Sequence, residues 1–500
     1  MRLARNVLTG IASSIWSAAL AFAAIPIYLR YIGVDAYGLI GFFTTTQAVI
    51  QLLDLGIAPA VNREVARTVG TEGVRDAKEL ITTFATVYWV AGIVIAAVLA
   101  LSSSMLSSHW IHSEHLSRHT VQQAVILMGI VIGFRWPVGL YAAVINGAQR
   151  LAVTSAITMV VSTFATVGAV LVLAFVSRSI QAFFVWQAAA AVLNVSLMQM
   201  FAWRIMGREA GIHFKLQLFR RIWRFSVGMS AINVLGVVFM QMDKVLLSKL
   251  LSLTAFGEYM IAATVAGSLS LLTTPVFNAL FPRFAALVAS QETDSLRLSY
   301  RTAMRGFSSV IFCVALVLAT LAAAVVRIWT RNPTIAAAVA PIVSLLAVGS
   351  ALNGAMTVPH ALQLAYGLTR LPLLINSVLL VLMGPAIIAL VYLYGGLGGA
   401  LAWLLLNVLY TILSLWLTQR AILRDVSASA GIADVCIPFA WALLAAGVTY
   451  AFRDIGLPLA LQVLLGAVVG LLTMVASISA FPASRAAMFR MIGRQLPHAR

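Results

Sequence analysis

Charged side chains inside long apolar runs are the residues of this sequence best placed to do chemistry. The stretch FMQMDKVLLSK puts Asp243 and Lys244 side by side among apolar residues. Arg135 and Asp54 lie in two other apolar runs. An unpaired charge in apolar surroundings is costly, so these side chains should face protein or a wet cavity. These four residues are therefore candidates for contact with a substrate or a coupling ion.

The composition places these charges in a membrane protein. Of the 500 residues, 62% are hydrophobic and 10% are charged. A soluble domain usually has about 25% charged residues, and its core could not hide this much apolar surface. The apolar residues fall in blocks of roughly 20–25, which is enough for a helix to cross about 30 Å of hydrocarbon. We predict an all-α polytopic membrane protein with about fourteen transmembrane helices.

The lysines and arginines predict the orientation of the chain. If the N-terminus is cytoplasmic, most of the 33 lysines and arginines fall in cytoplasmic loops and tails, as the positive-inside rule requires. Both termini are then cytoplasmic. The net charge of +18 is explained by this topology and by contact with anionic lipid headgroups, without a nucleic-acid partner. The first apolar run is too long for a signal-peptide core, so we expect it to be retained.

A shift of 219 residues lays the first part of the chain over the second. RYIGVDAYGLI, which begins at Arg30, then falls on KLLSLTAFGEY, which begins at Lys249, and Arg5 meets Arg224. Helices one to six therefore correspond to helices seven to twelve. Because the repeat unit has an even number of spans, the repeat is parallel. We expect two pseudo-symmetric six-helix lobes around a central cleft.

The repeat predicts a domain organisation that suits transport better than catalysis. It comprises an N-terminal lobe at 1–203, a basic cytoplasmic linker at 204–224, a C-terminal lobe at 225–420, helices thirteen and fourteen at 435–480, and a basic cytoplasmic tail at 481–500. The sequence has no phosphate loop, dinucleotide-binding turn, paired-cysteine zinc spacing or nucleophile elbow. We therefore expect no enzymatic activity, no cofactor and no metal site.

The predicted spans place the four candidate charges at different depths. Asp243 and Lys244 lie one to two turns inside the outer end of helix seven, Arg135 lies near the middle of helix four, and Asp54 lies in the inner half of helix two. Because neighbouring residues point about 100° apart on a helix, Asp243 and Lys244 are not expected simply to pair with each other. Lys244 could face the cleft or snorkel to the outer headgroups. Arg135 and Asp54 could form a structural ion pair or line the cleft.

Other ionisable residues allow weaker interpretations. Arg5 and Arg224 lie at the cytoplasmic ends of helices one and seven, where they could guard the inner mouth of the cleft or serve only as topology signals. The stretch HWIHSEHLSRH carries four histidines in a short outer loop. Their spacing is irregular, so we expect a solvated or pH-sensitive loop instead of a metal site.

The run IPIYLRYIGVDAYGLIGFFTTTQAVIQLLDLGIAPAVNREVAR resembles the polysaccharide (O-antigen) flippases of the multidrug/oligosaccharidyl-lipid/polysaccharide exporter superfamily. So do FMQMDKVLLSKLLSLTAFGEYMIA and the Gly-x-x-Arg turns after helices four and ten. The resemblance covers nearly the whole chain. It implies a fold like that of the multidrug exporters of this superfamily. It also implies a bacterial inner-membrane protein that moves undecaprenyl-pyrophosphate-linked oligosaccharides for surface polysaccharide assembly.

The resemblance also implies roles for the charged residues. Lys244 and Arg135 would give the cleft a cationic lining, Arg5 and Arg224 would lie at its inner entrance, and Asp243 and Asp54 would carry a coupling proton or sodium ion. The implied partners are the lipid-linked oligosaccharide, membrane lipids, a polysaccharide polymerase and a chain-length regulator. A lipid II flippase, a multidrug–cation antiporter and, from another class, a membrane glycan polymerase stay open as alternatives.

Overall fold

The computed structural model describes residues 2–54, 56–68, 74–207, 235–423, 428–453 and 455–481, and its regular elements are helices. These are α1 (Arg2–Ile50), α2 (Ile57–Thr68), α3 (Val74–Met105), α4 (Arg118–Gly147), α5 (Leu151–Phe175), α6 (Ile180–Met206), α7 (235–250), α8 (Leu253–Gly267), α9 (Ser270–Ala289), α10 (Thr293–Thr320), α11 (Ala322–Thr330), α12 (Pro333–Ala355), α13 (Thr357–Ala365), α14 (Arg370–Ala421), α15 (Ala428–Ala451) and α16 (Leu459–Ser479). In these ranges, β-pairing is confined to an isolated bridge between His112 and Ser252.

The long apolar helices confirm the predicted class. Eleven described segments are long and apolar enough to cross a membrane. Two of them, Thr9–Asp54 with 46 residues and Arg370–Ala421 with 52, are more than twice as long as one crossing of about 20 residues requires. Each bends at a glycine with positive φ, 79° at Gly33 and 57° at Gly395, which residues with a Cβ rarely adopt. With these two segments counted as two crossings each, the described residues hold thirteen candidate crossings, and the predicted span 225–249 lies partly outside them.

Several predicted helices contain breaks that hydropathy did not indicate. The predicted span 37–61 ends as an α-helix at Ile50, continues as a 3₁₀ turn over Gln51–Asp54 and resumes at Ile57. The predicted spans 256–281, 300–326 and 336–364 are likewise each divided into two helices. Hydropathy measures apolar content. It gives no information on where the backbone hydrogen bonds of a helix are interrupted. The first break matters most, because it places Asp54 just before a helix start instead of within a helix.

Contacts divide the chain into two compact units, Met1–Gly257 and Glu258–Arg500. In the first unit, α4 packs against α3, α2 and α6, and α1 packs along α5. The unit extends past the predicted linker. Within it, Leu253 N donates to His112 O at 2.7 Å, which ties the start of α8 to the loop before α4. Most of that linker lies outside the described residues, and the division into lobes at 1–203 and 225–420 stays a prediction.

In the second unit, α10 packs against α9, α12, α15 and α16. Asp434 of α15 accepts hydrogen bonds from Arg301 Nε at 2.9 Å and from Arg305 Nε at 2.6 Å, both on α10. Ser309 Oγ of α10 lies 2.8 Å from Ser477 Oγ of α16. Because helices in lipid gain little from the hydrophobic effect, such polar contacts help to hold them together.

We expect Asp434→Ala to destabilise the second unit strongly. The Asp434 side chain is 2% exposed, and its loss would leave two guanidinium groups close together without a counter-ion. Removing one partner of a buried ion pair costs about 3–5 kcal/mol. Thermal denaturation in detergent should show a clearly lower Tm. Asp294→Ala, which removes an acid that is 98% exposed on α10, the helix of the two arginines, should leave Tm unchanged. A wild-type Tm for Asp434→Ala would contradict this account.

Candidate functional site

Arg135 of α4 is held by neutral partners. Its Nη1 donates to Gln47 Oε1 at 2.8 Å, and its Nη2 donates to Gln187 Oε1 at 2.9 Å. Its guanidinium also lies 5.3 Å from the centre of the Phe43 ring. Among the described residues, the ion pairs formed within 4.0 Å do not include Arg135. Side chains of α1 and α6 therefore fix the orientation of this cation without neutralising its charge.

Asp54 lies at the break between α1 and α2. Its carboxylate accepts a hydrogen bond from Tyr88 Oη and another, at 3.3 Å, from the backbone N–H of Ala58. The second bond satisfies one of the free N–H groups at the start of α2, as a capping residue does. Asp54 therefore joins the start of α2 to α3, a role that does not depend on any ligand.

A cavity of about 280 Å³ in the first unit is lined by both Arg135 and Asp54. Gln47, Gln51, Tyr88 and Trp136 also line it. The structure thus brings the cation and the acid to one cavity, and they form no ion pair there within 4.0 Å. A guanidinium, amides and a phenol facing one space can bind an anionic, hydroxyl-rich group.

Asp243 and Lys244 form an ion pair with each other, which corrects the expectation from the helical wheel. Lys244 Nζ lies 3.3 Å from Asp243 Oδ1 and donates to Met240 O at 3.1 Å. Although the two Cβ atoms diverge, the flexible four-carbon stem of lysine lets the ammonium group fold back over the preceding turn. Because Met240 lies one turn before Lys244 on α7, the ammonium group points towards the start of the helix, away from the end where snorkelling to the outer headgroups was predicted. The pair is largely buried, with side-chain exposures of 4% and 22%.

The two arginines predicted at the inner entrance cannot be compared with the structure at the side-chain level. Arg224 lies outside the described residues. Arg5 lies near the start of α1, where only the backbone is described. Their proximity to an inner mouth stays a prediction.

Two equivalent segments of the repeat, Val34–Gly38 and Leu253–Gly257, cross each other in direct contact. A Cβ atom on Gly38 would overlap the carbonyl oxygen of Leu253, and a Cβ atom on Gly257 would lie 2.5 Å from Val34 O. Under the shift of 219 residues, Val34 corresponds to Leu253 and Gly38 to Gly257. Reciprocal contacts of this kind are what a two-fold axis produces. The repeat found in the sequence is therefore present in the local geometry.

Polar side chains bridge the same crossing. Thr254 Oγ1 donates to Asp35 Oδ1, and these residues are also 219 apart. His115 Nδ1 lies 2.8 Å from Asp35 Oδ2, while its side chain remains 72% exposed. The histidine-bearing loop also contacts the crossing through His115 and His112. That the loop is solvated or pH-sensitive stays a prediction.

Sequence reasoning missed the neutral partners of the candidate site. Gln47 and Gln187 are amides inside apolar spans, and that unusual position was the available signal. Asp35 was also missed, although the 219-residue shift aligns it with Thr254 in the sequence. Equivalence under a repeat does not reveal whether two equivalent residues touch.

Comparison with known proteins agrees with this architecture. Residues 3–288 match the family model described as polysaccharide biosynthesis protein. A protein of Shigella flexneri, described as a candidate O-antigen transporter, is 22% identical over 409 residues, which cover 80% of this chain and 94% of that protein.

Two solved structures share the fold. The lipid II flippase MurJ in an inward closed conformation has a TM-score of 0.74 at 12% identity, with 95% of this chain and 98% of that chain covered. An inward-facing multidrug resistance MATE family transporter of the MOP superfamily has a TM-score of 0.62 at 13% identity, with 87% and 96% covered. Because the family model covers more than half of the sequence, the chain belongs to the polysaccharide biosynthesis protein family, and its long apolar helices make it a multi-pass membrane protein.

Proposed function

We propose that the protein flips undecaprenyl-pyrophosphate-linked oligosaccharides across the bacterial inner membrane by alternating access, without catalysis. The observation that carries this proposal is Arg135, a cation in a transmembrane helix that faces a cavity and has neutral partners. A guanidinium binds the oxygens of a phosphate in a bidentate manner. Gln47 and Gln51 line the same cavity and offer amide groups to sugar hydroxyls. The lipid tail would stay in the bilayer while the headgroup crosses.

The remaining charged residues fit the same proposal in supporting roles. Lys244 adds to the cationic lining, and Asp243 is a candidate to carry a coupling proton or sodium ion. Asp54 is a second candidate for ion coupling. Arg5 and Arg224 attract the anionic headgroup at the inner entrance. With both termini cytoplasmic, the cargo leaves on the outer side, where a polymerase and a chain-length regulator would receive it.

The crossing of Val34–Gly38 with Leu253–Gly257 is the proposed outer gate. Its two glycines let the backbones touch, so no space for a sugar remains between the two segments. To release cargo outwards, the two segments must separate, which breaks the hydrogen bond between Thr254 and Asp35. The two predicted lobes, 1–203 and 225–420, would move against each other during this step.

Asp54→Asn should distinguish ion coupling from helix capping. Asparagine caps helices about as well as aspartate, so the Tm should stay close to that of the wild type. The charge is lost, so we expect flipping to stop responding to an imposed proton or sodium gradient. Asp54→Ala serves as the control, since it also loses the cap and should be less stable by about 1 kcal/mol. If Asp54→Asn responds to the gradients as the wild type does, Asp54 is a capping residue only.

The function is tested with purified protein in liposomes that contain a fluorescent undecaprenyl-pyrophosphate-linked oligosaccharide. A membrane-impermeant reductant quenches only the fluorescent lipid that reaches the outer leaflet. We expect this quenching to be faster than in protein-free liposomes, and we expect the glycan not to lengthen. Lengthening would indicate a polymerase instead. The TM-score of 0.74 with the MurJ structure makes lipid II the natural competing cargo. Faster flipping of lipid II than of the oligosaccharide lipid would overturn the proposed substrate.

A further inference from the structure

A second cavity, of about 600 Å³, lies in the second unit between α10, α14 and α15. Its lining is mostly apolar and includes Ile412, Trp416 and Ile432. These three side chains are 58%, 48% and 53% exposed. In a membrane-spanning bundle, exposed side chains of this kind face lipid tails. The cavity is therefore a groove open to the acyl chains, within the size range of small-molecule sites.

One wall of this groove carries a positive charge. Arg301 lines the cavity and binds Asp434 through Nε at 2.9 Å and Nη2 at 3.3 Å. Asp434 is shared with Arg305, so the cluster contains two guanidinium groups and one carboxylate. Arg305 stacks over the Phe481 ring at 4.4 Å and is 16% exposed, whereas Arg301 is 33% exposed. The cluster has one net positive charge, and a ligand in the groove can contact it most easily at Arg301, the more exposed arginine.

The mouth of the groove has further groups suited to a lipid headgroup. Gln419 lines the cavity beside Trp416. Arg420 stacks over the Trp416 ring, with its guanidinium carbon 4.3 Å from the ring centre. Tryptophan and arginine side chains are typical of the level at which lipid headgroups meet the hydrocarbon.

We propose that this groove binds one anionic glycerophospholipid, with an acyl chain along the apolar wall and the phosphate against Arg301. Charge complementarity selects the anionic headgroup, because a zwitterionic lipid brings an ammonium group that partly cancels the attraction to a guanidinium. A lipid held here would contact α10, α14 and α15 together. The site lies in the second unit, whereas the cavity with Arg135 lies in the first, so the two sites can be tested separately.

The test is native mass spectrometry of the detergent-purified protein, titrated with phosphatidylglycerol or with phosphatidylcholine of identical acyl chains. One arginine near a headgroup favours an anionic lipid by about fivefold, so we expect the wild type to retain phosphatidylglycerol about fivefold better. Arg301→Gln should abolish this preference. The fold should survive, since Arg305 still pairs with Asp434. Arg297→Gln removes the same charge one turn away and should keep the preference.

A second variant tests the groove without changing any charge. Among the described residues, a Cβ atom on Gly431 would meet Gln419 Oε1 at 3.8 Å, an ordinary contact, so Gly431→Leu is a suitable variant for filling the groove. It should lower the retention of both phospholipids. Equal retention of the two lipids by the wild type would overturn the proposal, as would an unchanged preference in Arg301→Gln. Displacement of phosphatidylglycerol by an equimolar undecaprenyl phosphate would also overturn it, because the groove would then belong to the cargo tail.

Discussion

Arg135→Gln is expected to slow oligosaccharide flipping by about 10–100-fold while leaving the protein folded. A hydrogen bond to a charged group contributes about 1.5–3 kcal/mol, and this guanidinium is the cavity's fixed cation. Glutamine can still bond to Gln47 and Gln187, so the packing around α4 should persist. Because a charge within a membrane-spanning helix is costly, its removal should leave Tm unchanged or raise it. The measurement is initial flipping rate in liposomes, together with Tm.

Two control variants make this result specific. Arg135→Lys keeps the charge but loses the two-pronged geometry, so its flipping rate should lie between those of Arg135→Gln and the wild type. Arg178→Gln removes an arginine that stacks on Tyr31, 5.4 Å from the ring centre, away from the cavity, and should flip normally. A normal rate in Arg135→Gln would show that the cargo does not use this cation, and the proposed binding site would have to be abandoned.

A covalent link between Asp35→Cys and Thr254→Cys is expected to reduce flipping more than tenfold. These two side chains touch in the structure, so a short bifunctional thiol reagent should join them. If the crossing must open for the cargo to leave, the linked protein is trapped with its outer gate closed. A photocleavable reagent allows the same preparation to be measured before linking, after linking and after illumination, when activity should return.

The cross-linking experiment needs a background without the two native cysteines, Cys313 and Cys436. Both can be replaced by alanine. The matched control is Ser17→Cys with Ser162→Cys, because those hydroxyl oxygens lie 3.1 Å apart between α1 and α5, away from the crossing. Linking this control pair should leave flipping intact. Full activity after quantitative linking of residues 35 and 254 would place the outer gate elsewhere.

The sequence predicted the class and helix count well because both depend on apolar content and loop charge. It did not predict the helix break beside Asp54, since the apolar residues around Gln51, Asp54 and Gly56 keep the mean hydropathy of the span high. It also failed for Asp243 and Lys244, because Cβ directions alone do not account for the reach of the lysine side chain. Arg135 was found by its charge, whereas Gln47 and Gln187 were not, because neutral amides barely lower the hydropathy of a span. The roles of all these residues in transport still rest on the proposed function.

The reciprocal crossing of the two repeats has a consequence for the origin of the chain. Before duplication and fusion, a single half would have met an identical partner through this patch, as in a symmetric homodimer. With identical halves, the positions equivalent to Asp35 and Thr254 would have carried the same residue. Two aspartates would have repelled each other, whereas two threonines would have lacked the carboxylate acceptor. Only after both copies were encoded in one gene could one acquire the donor and the other the acceptor. The Asp35–Thr254 bond is therefore what we expect if the two halves diverged in sequence after the duplication.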